Sequence, residues 1–191
     1  VDPGFDSFRR LLPSESPVTL SNLFGADAGL IVIPAQAPQA LRDSYLALAQ
    51  DWQRGHAGWT IVGDDAIDTL PDDLPVWLLG WENRFLDALT SAGGGFALDR
   101  DQRSVTLEGA AHADSSVVLT TQRGQQPIGL VATDQAAALP GLARKLPHYG
   151  KYGYLLFSGS APDNQLKGQW SSGDSALMHW FVDARPSLQL P

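Results

Sequence analysis

The sequence predicts an α/β protein, a three-layer α/β/α sandwich with a mainly parallel sheet, Rossmann-like or flavodoxin-like in form, with a peripheral β-hairpin. Three observations carry this. Short runs such as Leu30-Ile-Val-Ile33 and Val76-Trp-Leu-Leu79 are apolar without alternation, as strands covered on both faces are. Between the first such run and the next strand, Leu41, Tyr45, Leu48, Ala49 and Trp52 fall on one helical stripe. Strands that alternate with amphipathic helices imply crossover connections and parallel pairing.

Taken in order, Phe5, Phe8, Leu11 and Leu12 have helical spacing and Pro13 ends them. A short helical turn capped by Thr19 or Ser21 then runs to Gly25, so residues 1–25 form a helical lead-in. Leu30–Pro34 is a strand, and Pro38 to Arg54 a helix stopped by Gly55. Trp59–Val62 and Pro75–Gly80 are strands, with a helical or turn segment around Ile67–Leu70 between them. Glu82–Ser91 has Phe85, Leu86 and Leu89 on one face and reads as a helix ended by Gly93-Gly-Gly95. Phe96–Leu98 and Val105–Leu107 alternate around Asp99-Arg-Asp101, a hairpin inserted within residues 93–110. Val117–Thr121 and Ile128–Ala132 are strands joined by a polar turn. Gln135–Leu146 is a helix interrupted early by Pro140. Tyr152–Phe157 is the last expected strand, and the Gly-, Ser- and Pro-rich tail 158–191 reads as irregular. One domain is expected over 1–191.

Composition narrows the functional classes. The chain has 43% hydrophobic and 18% charged residues, within the ordinary globular range. A net charge of -8 with scattered basic residues disfavours nucleic acid, which needs clustered Lys and Arg. There are no cysteines, which excludes disulfides, thiolate metal sites and cysteine nucleophiles. The longest apolar runs reach only about six residues, so no transmembrane segment is expected. The start, Val1-Asp-Pro-Gly-Phe-Asp6, has no initiator Met and no signal-peptide pattern, and reads as a cut inside a longer protein or at a processing site.

Known catalytic motifs are missing. No glycine follows the strand Leu30–Ile33, so the dinucleotide fingerprint is absent, as is the Gly-Lys-Ser/Thr phosphate loop. The histidines are His56, His112, His148 and His179; none has a His, Asp or Glu three or four residues away in an expected helix except His179, with Asp183, and His-Glu-x-x-His is absent. Asp64, Asp65, Asp68, Asp72 and Asp73 follow a strand, where Mg²⁺ sites occur, but Asp is also the common cap and loop residue, and solvated caps are expected. Ser158-Gly-Ser160 lacks the pattern of a nucleophile elbow.

Two places remain as crevice or interface candidates. Trp81, Glu82 and Asn83 follow an apolar strand, where α/β sheets bind ligands; the competing expectation is that Asn83 caps the next helix and Trp81 packs over the sheet. His148, Tyr149, Lys151 and Tyr152 bring a base, a cation and two phenols together. The Tyr-x-x-x-Lys relay is not present at that spacing, and packing with polar bonding by the hydroxyls is the expected role.

Several segments together resemble a known family. They are Asp2-Pro-Gly-Phe-Asp-Ser-Phe-Arg-Arg-Leu11, Leu23-Phe-Gly25, Val76-Trp-Leu-Leu-Gly-Trp-Glu-Asn-Arg-Phe85, Ala138-Leu-Pro-Gly-Leu-Ala-Arg-Lys-Leu-Pro-His-Tyr-Gly-Lys-Tyr152, and Lys167-Gly-Gln-Trp170 with Gly159, Pro162 and Asn164. In these the chain resembles the C-terminal region of a bacterial subgroup of the membrane alanyl aminopeptidase (gluzincin) metallopeptidases. It carries Gly153 and Ser158-Gly-Ser160 where relatives more often have a polar or acidic residue. The resemblance implies a C-terminal accessory domain whose partner is the catalytic region of the same polypeptide. It places the zinc in that region and carries no catalytic, cofactor or metal residue onto this chain. It also implies a periplasmic or membrane-associated setting. The expected role is therefore non-catalytic: packing on the catalytic region, assisting substrate access or mediating protein contacts. The alternative is a stand-alone small hydrolase or ligand-binding domain using a crevice near Gly80–Asn83 and His148.

Overall fold

The computed structural model describes residues 17–91 and 95–171, and Val18–Trp170 form one compact unit. The expected helix at Phe5–Leu12, the His179/Asp183 pair and the tail beyond Ser171 lie outside the described residues, as do Gly93 and Gly94.

Helix α1 (Leu20–Phe24) opens the unit, with Thr19 and Asn22 forming its capping box. Strand β1 (Ala28–Ile33) leads to α2 (Gln39–Gly55) and then β2 (Gly58–Gly63) and β3 (Val76–Leu79). After α3 (Asp87–Ser91) come β4 (Phe96–Asp99), β5 (Ser104–Leu107) and β6 (Ala110–His112). The long hairpin β7 (Ser116–Arg123) and β8 (Gln126–Ala132) precedes a 3₁₀ turn, Ala136–Ala138, and α4 (Leu139–Lys145). A second 3₁₀ turn, Leu146–Tyr149, enters β9 (Tyr154–Ser158), and β10 (Asp163–Gly168) closes the order.

Seven strands form the main sheet in the order β10-β9-β7-β8-β3-β1-β2, and β4-β5-β6 form a separate antiparallel sheet. The fold class is α/β, but the main sheet is mixed. Strands β2, β1, β3 and β8 pair in parallel, whereas β8–β7, β7–β9 and β9–β10 are antiparallel. The reason is the short turn after Arg123. A tight connection returns the chain antiparallel, and only a longer crossover permits parallel pairing. Five strands (β1, β2, β3, β8 and β9) therefore share one direction and end at the same edge of the sheet.

Three further expectations change. The helix over Glu82–Ser91 shrinks to α3, because side chains bind the backbone of its first turn. The hairpin at 93–110 gains β6, whose Ala110–His112 pair with Val105–Leu107. The irregular tail expected from Ser158 instead returns as β10, an antiparallel edge strand with a bulge between Asn164 and Leu166.

Both faces of the sheet are buried, which explains the missing alternation in β1 and β3. Ile31, Trp77, Val118, Val131 and Leu155 face the helices, where Leu23, Tyr45, Leu48, Trp52, Leu139 and Leu142 cover them. Leu30, Val32, Leu78, Val117 and Leu130 face the other way, under Trp81, Leu86 and Leu89 and the small sheet's Val105 and Leu107. That second layer is mainly β-structure and loop, where helices were expected. Among the described residues, no helix is long and apolar enough to cross a membrane.

The two ends of the unit meet at one place. Thr120 Oγ1 donates to the Val18 carbonyl (3.0 Å), and Trp170 Nε1 donates to the Thr120 carbonyl (2.6 Å). Gly153 lies between them: a Cβ there would stand 2.7 Å from the Trp170 indole and 3.1 Å from the Val18 carbonyl oxygen.

Candidate functional site

In open α/β sheets ligands bind where parallel strands end. Here that edge gathers Pro34 after β1, Asp64 after β2, Gly80–Asn83 after β3, and Thr133 and Asp134 after β8. Gly80 has a positive φ of 84°, and a Cβ there would strike Pro34 at 2.7 Å and Tyr45 at 3.1 Å. Only glycine lets the chain turn this sharply against both rings.

Two buried polar side chains at this edge, Asn83 and Asp64, are committed to the fold. Asn83 is fully buried; its Nδ2 donates to the carbonyls of Val32 (3.0 Å) and Leu79 (3.2 Å), and its Oδ1 accepts from the Phe85 N–H at 3.1 Å. Asp64, expected as a solvated cap, is 2% exposed. Its Oδ1 accepts from the Ala35 N–H (2.8 Å) and its Oδ2 from the Arg84 N–H (2.9 Å), tying the loops after β1, β2 and β3. These bonds to Arg84 and Phe85 hold the chain in turns and delay the helix to Asp87. The rest of the acidic cluster, Asp65, Asp68, Asp72 and Asp73, is exposed.

Glu82 faces Arg103, which arrives from the β4–β5 turn at φ 48° and pairs with Glu82 at 2.8 Å and with Asp134. The Asp134 bond chiefly raises the proton affinity of the guanidinium, and Glu82 adds to it against the cost of burial. Beside them the buried Tyr45 hydroxyl donates to the Thr133 carbonyl (3.2 Å) and accepts from the Thr133 N–H (3.0 Å). Burial pushes this phenol well above its ordinary value, so it stays neutral. Ser116 Oγ donates to Thr133 Oγ1 at 2.8 Å. Trp81 is 1% exposed within the core, and its Nε1 has no hydrogen-bond partner. The edge thus holds a carboxylate–guanidinium–carboxylate clasp and a satisfied phenol.

The second group of predicted residues sits elsewhere. His148 and Tyr149 end the 3₁₀ turn, and Lys151 and Tyr152 precede β9. Because β9 runs parallel to β3, residues before β9 lie at the opposite edge from those after β3. Two strands, β7 and β8, also intervene, a lateral separation of about 14 Å at ~4.8 Å per strand. Gly80–Asn83 and His148 therefore do not share a crevice. His148 and Lys151 are exposed, and the half-buried Tyr149 and Tyr152 rings lie 5.8 Å apart. The backbone of this segment anchors α1: the N–H groups of Leu20 and Ser21 donate to the carbonyls of Tyr152 (2.9 Å) and Gly150 (2.8 Å).

A cavity of about 10 Å³ lies among Phe24, Ile31, Trp52, His56, Trp59 and Trp77, room for about one water and far below the ~300 Å³ of a ligand pocket. No group of three His, Asp or Glu side chains among the described residues is placed to hold a metal ion. Tyr45, Arg103 and Asp134 were not foreseen at the carboxyl edge. Tyr45 reads as a core position on its stripe, and Arg103 belongs to another sheet. The chain matches no family model and no curated protein.

Proposed function

We propose that the chain is a non-catalytic accessory domain of a zinc-dependent aminopeptidase. Its task is to pack on the catalytic region of the same polypeptide, assist substrate access or mediate protein contacts. One observation carries the non-catalytic part: at the edge where an α/β sheet does its chemistry, Asp64, Asn83, Glu82 and Tyr45 are all engaged in holding loops together. The peptidase part is supported by the resemblance of the segments around Gly80–Phe85, Ala138–Tyr152 and Lys167–Trp170. The zinc is assigned to the catalytic region, outside this chain. Within this proposal the β1, β2, β3 and β8 half is the doubly wound, Rossmann-like part of the sandwich, and β7, β9 and β10 extend it.

The test is direct. The purified chain is assayed with aminoacyl p-nitroanilides, with zinc and then with chelator, and no turnover is expected. Cleavage that zinc restores and chelator removes would overturn the non-catalytic assignment. The gene supplies the second arm: a His-Glu-x-x-His segment encoded upstream in the same reading frame is expected, and a frame without one sinks the peptidase assignment.

A further inference from the structure

The basic residues of this acidic chain are unevenly placed. Lys145, Lys151 and Lys167 are its lysines, and with Arg144 they fall in the stretch 135–171, where Asp163 is the acidic residue. Elsewhere Arg54, Arg100, Arg103 and Arg123 each pair with a carboxylate, while Arg42 donates to the Ala35 carbonyl and Arg84 stands over the Phe85 ring. Arg144, Lys151 and Lys167 are exposed and have no ion pair among the described residues. Instead Lys151 Nζ stands over the Tyr152 ring at 5.2 Å, and Lys167 Nζ over Tyr152 (5.5 Å) and Tyr149 (6.0 Å). Both ammonium groups thus lie against aromatic faces on exposed residues, and neither tyrosine hydroxyl has a hydrogen bond among the described residues. Phe157 backs the patch, its ring edge-on to Tyr149 at 5.7 Å. Arg144 lies on α4 and His148 in the turn after it, and both are exposed.

We propose that this corner is a docking surface for an acidic protein segment, whose carboxylates meet Lys151 and Lys167 while its apolar side chains lie on the Tyr149 and Tyr152 rings. Charge complementarity selects the occupant. A cationic patch rimmed by aromatic rings suits carboxylates spaced by apolar side chains. A nucleic acid or an anionic bilayer extends well past the ~8 Å over which charge is screened, and would meet the acidic remainder of the domain. A short acidic segment meets less of that acidic surface than either. This assignment is independent of the peptidase proposal.

The probe is a fluorescein-labelled peptide of about eight residues alternating glutamate and leucine, titrated with the whole chain and read by anisotropy. Saturable binding is expected that weakens as salt rises from about 50 to 300 mM. A Lys151→Glu/Lys167→Glu double variant with an unchanged circular dichroism spectrum should lose about tenfold or more in affinity, Lys151→Gln should lose less, and the glutamine–leucine peptide should not bind. Absence of binding up to about 1 mM peptide, or equal affinity in the double variant, would overturn the proposal. So would tighter, patch-dependent binding of phosphatidylserine vesicles or oligothymidylate, which would replace the occupant.

Discussion

The carboxyl edge of the main sheet and the corner before β9 are built from the same kinds of side chain: carboxylate or cation, guanidinium, phenol. They use them in opposite ways. At the carboxyl edge Tyr45 is buried with its hydroxyl bonded twice, and Arg103 bridges two carboxylates. At the corner Tyr149 and Tyr152 are half exposed, and Lys151 and Lys167 meet aromatic faces in place of carboxylates. The difference lies in desolvation. A polar group taken from water must find its partner inside, and so becomes part of the fold; one left at the surface keeps its bonding capacity for something else. Residue type alone does not separate a site from a clasp.

The comparison breaks if the carboxyl edge tolerates change. Asp64→Ala should have the largest effect, about 3 kcal/mol, because a buried carboxylate that joins three loops is lost and two part-buried N–H groups lose a charged acceptor; urea unfolding monitored by tryptophan fluorescence measures it. Tyr45→Phe follows at about 2 kcal/mol, leaving both the Thr133 N–H and carbonyl unpaired. The same substitution probes alkaline pH. The hydroxyl of Tyr154, bonded to Glu108 and then raised further by burial, is pushed up to about 12, and Tyr45 is raised as well. Because folding raises these values, their contribution is complete below the ordinary phenol value of about 10 and is lost as pH rises through the folded value. Stability should therefore decline above about pH 10, and Tyr154→Phe should flatten that decline.

Arg103→Met should cost about 1 kcal/mol or less, since the guanidinium is 39% exposed and screened, and the loss should shrink as salt is raised. Smallest is Lys151→Ala, within about 0.5 kcal/mol of the parent. A loss there as large as that of Tyr45→Phe would place the corner in the folding apparatus and erase the distinction.

What the sequence revealed follows from what periodicity can encode. The strands at Leu30, Trp59, Val76, Val117, Ile128 and Tyr154 and the α2 stripe were legible because burial imposes a run or a period on each. Strand β10 was not. Asp163-Asn-Gln-Leu-Lys-Gly168 offers only Leu166 to the core, and an edge strand that carries charge and a bulge reads like a loop. The mixed pairing was hidden for another reason: periodicity gives a strand's faces and not its direction, although the short turn after Arg123 implied the antiparallel hairpin. Glu82 and Asn83 were legible as candidates by position after an apolar strand. Their partners were not, because Tyr45, Arg103 and Asp134 lie on separate elements that only the tertiary fold joins. Asp64 misled because a buried carboxylate bonded to backbone N–H groups has the same sequence context as a solvated cap.

The convergence of Val18 and Trp170 on Thr120 has a consequence for how the unit fits into a longer polypeptide. Its entry and exit points are adjacent. Such a module can be spliced into a surface loop of another protein, or circularly permuted by a short bridge from 170 to 18 with new ends cut at the exposed turn after Arg123, while every strand keeps its neighbours.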